Sequence, residues 1–432
     1  MIPQIEQASA EEIKVFQEEK LAFLLEYLNK NSTYYQGVFK SNNIDINTIK
    51  TLEDLSNIPV TTKDELQKYN DDFLCVPKEE IIDYVTTSGT LGDPVTFALT
   101  DNDLERLAYN EAISFACAGV QKKDVVQLMT TIDRRFMAGL AYFLGVRKLG
   151  AGIIRVGAGI PELQWDSILK FKPTYLIAVP SFLLKLIEYA QRNAIDLNSC
   201  GVKGVVCIGE PLRNQDFSLN SLSQKIKAAW DIELYSTYAS TEMNTAFTEC
   251  EHQQGGHHHP ELIIVEILDD NDQPISEGVG ELTITTLGVE GMPLLRFKTG
   301  DMVSAHYEPC ECGRNTMRLG PVIGRKKQMI KYKGTTLYPP AMDNILNDFS
   351  AIEGYIIEIY HNAIGTDEIL IKIASNDTSN KLLQRIKDHF RAKLRVAPKI
   401  EFHSRKDIDA LRFPKMSRKP LNIIDKREAK LV

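Results

Sequence analysis

The sequence predicts an α/β protein: a large N-terminal body with mixed sheets, followed by a small α+β C-terminal domain. Three observations carry that prediction. From about Val125 onward, short apolar runs alternate with helical stretches, as in an α/β layer with partly parallel strands. Between positions 261 and 286 the pattern changes to strands around an Asn271-Asp272 turn. After Gly324 the scale changes again, to short strands, a hairpin and one amphipathic helix. At 432 residues the chain exceeds what one core usually serves, and the expected division falls at 1–323 and 324–432.

In chain order, Phe16, Leu21, Leu24, Leu25 and Leu28 recur at helical spacing, and Asn29-Lys-Asn-Ser-Thr33 ends the run. Positions 81–85 read as a strand. Positions 175–179 and 204–208 read as buried strands, with helices over 182–190 and 222–230. The 261–286 stretch reads as an antiparallel patch appended to the body. Beyond it, 329–332 and 336–338 flank Lys333-Gly334, a hairpin signal. A helix over 340–349, strands at 355–360 and 369–373, and a helix over 381–394 follow. That last helix carries Leu382, Leu383, Ile386, Phe390 and Leu394 on one face, and 400–403 adds a final strand.

Composition excludes several classes. With 43% hydrophobic and 25% charged residues, disorder, collagen and coiled coil are poor readings. A net charge of −8 gives no basic footprint for nucleic acid. No apolar run approaches the roughly 20 residues that span a bilayer. The first twenty residues are acidic and lack a signal peptide's apolar middle, so a cytoplasmic protein with no membrane partner is expected.

Three stretches point to chemistry. Tyr84-Val-Thr-Thr-Ser-Gly-Thr-Leu-Gly-Asp-Pro-Val95 alternates hydroxyls and glycines after a strand, a loop able to surround phosphate oxygens. No Gly-Lys-Ser/Thr closes it, and alone it reads equally as a surface turn. Leu234-Tyr-Ser-Thr-Tyr-Ala-Ser-Thr-Glu242 ends a hydroxyl-rich strand on a carboxylate suited to Mg²⁺, or opens a capped helix. Pro293-Leu-Leu-Arg-Phe-Lys-Thr-Gly-Asp301 offers an Asp that could accept both ribose hydroxyls, although a lone Gly-Asp is more often a turn.

The order of these stretches resembles the adenylate-forming superfamily, and within it the phenylacetate–CoA ligase family, over almost the whole chain. Leu52-Glu-Asp-Leu-Ser-Asn-Ile-Pro-Val-Thr-Thr-Lys63 is similar to that family's lead-in, and the 87–94 loop to its Thr-Ser-Gly-Thr-Thr-Gly-x-Pro motif. Gly209-Glu-Pro211 resembles the adenine-side turn, and 238–242 the Tyr-Gly-x-Thr-Glu signature. Gly280-Glu-Leu-Thr-Ile-Thr-Thr286 leads into the Arg-x-x-Thr-x-Asp segment, Gly324-Arg325 opens the interdomain segment, and Lys419 falls at the catalytic lysine.

The resemblance implies roles for these positions. Thr87, Ser88 and Thr90 hold the ATP phosphates, with Gly89 and Gly92 letting the loop close. Gly209, Glu210 and Pro211 line the adenine pocket, Tyr238 lies against the ring, and Ser236 and Ala239 belong to the same nucleotide wall. Thr241 and Glu242 serve phosphate and Mg²⁺, Asp301 serves the ribose, and Arg325 belongs to the ATP/AMP site. Lys419 bridges the carboxylate and the α-phosphate, where charge builds during attack. Arg325 and its successors, Lys327 among them, form a hinge. Phe136, Met137, Gly139 and Ala239 would build the acyl pocket, against the ordinary reading of core packing. Lys331, Lys333 and Gly334 would meet the phosphates of coenzyme A, or form a solvated face. The implied reaction is ATP-dependent activation of a carboxylic acid, aryl and phenylacetate-like, with transfer to CoA. The alternatives are loading of a carrier-protein phosphopantetheine, or a degraded nucleotide-binding regulatory homologue. A homodimer would be unsurprising. Three departures from the family pattern stand out: Asp93 where Lys is common, Ala239 for Gly, and Lys327-Gln328 for an Asp pair.

Seven cysteines in a compartment where disulfides rarely persist need another account. Cys250, His257, Cys310 and Cys312 form a Cys₃His set for a structural Zn²⁺, the C-x6-H and C-x-C arrangement frequent in the family. The spacing alone leaves His257 and His259 as rival ligands, and reduced thiols as the plain alternative. Gly150-Ala-Gly152 and Gly157-Ala-Gly159 lack the third glycine of a dinucleotide fingerprint.

Overall fold

The computed structural model describes residues 2–87, 95–362, 365–413 and 421–427. It divides into two compact units, Met1–Thr299 with Val303–Val322, and Gly300–Met302 with Ile323–Val432.

The first unit opens with a helix, Ala10–Asn31, started by a Ser9–Glu12 capping box. Leu21, Leu24, Leu25 and Leu28 are buried along it, as their spacing predicts. The expected stop at 29–33 is a joint between two helices. Ser32 ends the first and caps the second, Thr33–Ser41, by accepting from the Tyr35 N–H.

The centre of this unit is a run of parallel strands ordered Gly152–Arg155, Val125–Leu128, Tyr175–Ala178, Gly204–Cys207 and Glu233–Ser240. Helices Met137–Leu149, Pro180–Arg192 and Ser221–Ala229 connect or follow them. The two central strands are buried at every residue, Tyr175–Ala178 and Gly204–Cys207, as sandwiched parallel strands are.

The antiparallel strands expected as an appended patch instead continue the same sheet. Glu233–Ser240 turns back onto Thr245–Thr248, and the order runs on to Val279–Thr286 and Ile263–Leu268 at the far edge. A separate hairpin, Asp83–Thr86 with Thr96–Leu99, carries the hydroxyl-rich loop between its strands.

In the second unit a four-stranded sheet is ordered Lys399–Phe402, Asp367–Ser375, Ile352–His361 and Ile423–Asp425. The central pair is antiparallel and the outer strands add in parallel. Helix Asn380–Leu394 packs Leu382, Ile386 and Phe390 into its core. The hairpin Ile330–Tyr332/Thr335–Leu337 turns at Lys333 (φ 50°) and Gly334 (φ 78°), the two positive φ values a tight hairpin turn requires. The helix Arg405–Arg412 and the strand Ile423–Asp425 were not foreseen in the sequence. Among the described residues no helix is long and apolar enough to cross a membrane.

Candidate functional site

In open α/β sheets the loops beyond the carboxyl ends of parallel strands form the ligand crevice. Gly209, Glu210 and Pro211 follow the end of Gly204–Cys207, with Gly209 at φ 74°. The Glu210 carboxylate accepts from the Ser181 N–H and hydroxyl, both at 2.8 Å. Ser181 stands in the first turn of the helix after the neighbouring strand, so two adjacent loops brace each other. The Pro211 carbonyl accepts from Asn220 Nδ2 at 2.7 Å.

Ser236, midway along the next strand, Glu233–Ser240, donates its N–H to Glu249 Oε2 at 2.9 Å. Glu249 is buried and meets Arg213 Nε at 2.7 Å. Burial pushes that carboxyl up, and Arg213 pulls it back in part. Tyr238 stands opposite Phe247 across the hairpin, ring centroids 6.2 Å apart, and Ala239 opposite Ala246. The stretch from Tyr238 to Glu242 is therefore a strand and a turn, not a capped helix.

Glu242 sits on that turn, mostly buried, with Oε1 3.1 Å from Lys63 Nζ. Lys63 opens a helix, Lys63–Lys68, whose Thr62–Glu65 capping box fixes its start. Behind the turn lies Arg106, a buried arginine. It donates to the carbonyls of Asn244 (2.6 Å), Leu262 (2.6 Å) and Leu287 (2.7 Å) and to Thr245 Oγ1 (3.2 Å). Asn244, at φ 51°, donates in turn to the Thr241 carbonyl. Burial lowers the Arg106 guanidinium to about 10. Neither Lys63 nor Arg106 was singled out from the sequence. An arginine amid Leu107, Ala108 and Ala112 on a helix was the available sign of the second.

Thr87 closes the base of the hydroxyl-rich loop. Its N–H donates to the Val95 carbonyl, and its Oγ1 accepts from the Val95 N–H, both at 3.0 Å. Ser88, Gly89, Thr90, Gly92 and Asp93 lie outside the described residues. Just before the loop, the Thr86 N–H donates to the Arg135 carbonyl, tying this hairpin to the 132–136 turn.

Phe136, half-buried, precedes the helix Met137–Leu149. Met137 is buried in the same hydrophobic core as Ala141, Met243 and Phe247, with Tyr238 packed in part against that core. A Cβ at Gly139 would fall 1.8 Å from the Thr131 carbonyl oxygen, so close packing against that loop demands the glycine.

In the second unit Asp301 and Arg325 are antiparallel partners, Arg325 Nε 3.3 Å from Asp301 Oδ1. Lys327 lies in a short 3₁₀ turn, Lys326–Gln328. Lys331 and Lys333 are exposed on the hairpin with Gly334, Lys333 Nζ standing 4.8 Å from the Tyr332 ring centre. Lys419 lies outside the described residues. On either side of its segment, the Leu421 N–H donates to the Arg412 carbonyl at 2.8 Å.

Cys250, His257, Cys310 and Cys312 converge, their ligand atoms all within 4.8 Å of one another. Cys250 Sγ is 3.6 Å from Cys310 Sγ, and His257 Nε2 is 3.3 Å from Cys250 Sγ and 3.5 Å from Cys312 Sγ. Pairing of His257 with Thr248 on one side and Arg318 on the other sets this approach. The neighbouring imidazoles are committed elsewhere. His258 Nε2 meets the Ile263 carbonyl at 2.6 Å, and burial takes this imidazole down to about 4. His259 Nδ1 lies 2.5 Å from Glu6 Oε1, and Glu6 Oε2 accepts from Arg314 Nε at 2.7 Å. Burial would raise the Glu6 carboxyl, but His259 and Arg314 together bring it below its ordinary value. Three buried or half-buried thiols and one imidazole are a tetrahedral soft-metal donor set. Cys117 packs beside them with its Sγ on the Thr248 carbonyl.

Residues 36–290 match the family model described as AMP-binding enzyme. The phenylacetate–coenzyme A ligase of Thermus thermophilus is 30% identical over 350 residues, covering 80% of this chain and 77% of that protein. That of Escherichia coli is 26% identical, covering 87% and 85%. A solved 2-hydroxyisobutyryl-CoA ligase in its postadenylation state superposes with a TM-score of 0.84 at 23% identity, over 99% of this chain and 92% of its own.

Proposed function

The chain belongs to the AMP-binding enzymes and, within them, to the phenylacetate–CoA ligase family, ATP-dependent acid–thiol ligases, and from that premise we propose an aryl, phenylacetate-like acid and the following division of labour. The acid's carboxylate attacks the α-phosphorus of ATP, pyrophosphate leaves, and the thiol of CoA then displaces AMP from the acyl-adenylate. Thr87 and the loop it closes receive the phosphates. Gly209, Glu210, Pro211, Ser236, Tyr238 and Ala239 form the nucleotide wall, and Thr241 serves the phosphate. Asp301 serves the ribose, Arg325 belongs to the ATP/AMP site, and Lys419 bridges carboxylate and phosphate. Glu242 would hold Mg²⁺, which neutralises phosphate charge when bound.

The observation that carries this reading is Glu242 itself: a largely enclosed carboxylate on a turn braced by Arg106, at the carboxyl edge of the parallel strands. The acyl pocket is assigned to Phe136, Met137, Gly139 and Ala239, whose apolar character favours an aryl acid over a charged one. Lys331 and Lys333 are assigned to the phosphates of CoA, and Lys327 to the hinge. Cys250, His257, Cys310 and Cys312 are assigned to one Zn²⁺ with a structural role, because four protein ligands leave no open position. A cytoplasmic location and a homodimer belong to the same reading, the latter checked by sedimentation.

The test is product analysis. With ATP, Mg²⁺, phenylacetate and CoA, the protein should release AMP and form phenylacetyl-CoA. Phenylacetyl-AMP that is discharged only on a carrier protein would favour the phosphopantetheine alternative. No AMP with any aryl or short acyl acid would sink the ligase reading.

A further inference from the structure

We infer that Arg427 is a positioning residue that clamps the chain at 327–331 into the second unit, so that the linker bends only upstream of the Lys327 carbonyl. The inference rests on the reading of this segment as a hinge. Arg427 follows the strand Ile423–Asp425, and its guanidinium offers a rigid fork of five donors. Nη1 donates to the Met329 carbonyl at 2.7 Å and to Asp367 Oδ2 at 3.1 Å. Nη2 donates to the Lys327 carbonyl at 3.1 Å and to Asp425 Oδ2 at 2.6 Å. Nε meets Asp425 Oδ1 at 3.0 Å. Asp367 Oδ2 also accepts the Lys331 N–H at 2.8 Å, and Asp367 Oδ1 is 3.1 Å from His361 Nε2.

Two carbonyls and one amide within five residues of linker are thus tied to a single Arg–Asp assembly. The Arg427 and Asp367 side chains are 12% and 11% exposed, so water competes weakly for the bonds from Arg427 to Asp367 and to the Met329 carbonyl. Turning the backbone beyond the Lys327 carbonyl would break several of them together. Upstream, Gly324–Arg325 pair with Asp301–Met302 in the sheet and the Arg325 side chain is 43% exposed, so the φ/ψ change of a hinge falls between that pairing and the Lys327 carbonyl. The same clamp sets the base of the hairpin that presents Lys331 and Lys333. Its loss therefore acts on the thiol step more than on adenylation.

The test uses the full chain as wild type, Arg427→Ala and Arg427→Lys. Hydrogen exchange over 327–331 is read alongside two separated half-reactions, ATP–pyrophosphate exchange with phenylacetate, and phenylacetyl-CoA formation from preformed phenylacetyl-AMP. Arg427→Ala should speed amide exchange at 327–331 about tenfold, the effect of one net hydrogen bond lost. It should slow thioester formation by a similar factor and leave pyrophosphate exchange within about twofold, with partial rescue in Arg427→Lys. Unchanged protection at 327–331, or both half-reactions falling in parallel, would overturn the inference. Wild-type protein with no acid-dependent pyrophosphate exchange would sink the ligase reading instead, and protection at 327–331 would still decide the clamp.

Discussion

Lys63 Nζ lies 3.1 Å from Glu242 Oε1, joining residues 179 positions apart at the turn that ends the hydroxyl-rich strand. The carboxylate assigned to Mg²⁺ thus already has a cationic partner. Lys63 is anchored by a capped helix start, and Glu242 by the turn that Arg106 holds. A metal ion at Glu242 must compete with that ammonium or share the carboxylate with it.

Removing the competitor gives a direct prediction. The Lys63 side chain is 41% exposed, so the pair contributes modestly, on the order of 0.5–1 kcal/mol. Lys63→Met should lower the Mg²⁺ concentration for half-maximal pyrophosphate exchange by about two- to fivefold, the same energy expressed as a ratio. A Mg²⁺ titration checks it, and an unchanged midpoint would show that the ammonium does not compete at that carboxylate.

The Cys₃His cluster predicts about one equivalent of zinc in the purified protein, from the donor count alone. Cys310→Ser should lose most of it and lower the melting temperature by roughly 4–5 °C, about 3 kcal/mol in a body of this size. Metal analysis together with calorimetry reads both. A full complement of zinc in Cys310→Ser would remove that thiol from the ligand set.

Glu111 sits between two packed helices, 2.2 Å from where a Cβ on Gly145 would lie, with Asn110 Nδ2 donating at 3.1 Å. Burial pushes its carboxyl up to about 8, and Asn110 offsets this only in part. A pKa raised in the folded state means stability that is full below the ordinary carboxyl range and is lost as pH rises toward 8. Glu111→Gln should remove up to about 1.4 kcal/mol of stability loss per pH unit between pH 5 and 8. Denaturant unfolding at several pH values measures it. Parallel wild-type and variant curves would mean the carboxyl titrates normally.

Local signals made much of this protein legible. Lys333-Gly334 predicted its hairpin because both turn positions need positive φ, and the apolar periodicity of 381–394 predicted a helix found at Asn380–Leu394. The spacing of Cys250, His257, Cys310 and Cys312 drew the cluster together correctly, but only the commitments of His258 to Ile263 and His259 to Glu6 separate the three imidazoles. The helix Arg405–Arg412 was hidden because it buries only Ile408, and Ile423–Asp425 is too short to show a period. The Lys63–Glu242 pair has no local signature at all. It depends on the Thr61 N–H donating to the Arg296 carbonyl, which brings the lead-in segment alongside the strand Phe297–His306.

The measurement that bears most directly on the central claim is ATP–pyrophosphate exchange with and without phenylacetate, in wild type, Glu242→Gln and Lys419→Ala. The wild type should show acid-dependent exchange. Both variants should lose at least about a hundredfold of it while still binding ATP, as expected when transition-state charge loses a fixed partner. Exchange that needs no acid, or that survives in Lys419→Ala, would contradict it.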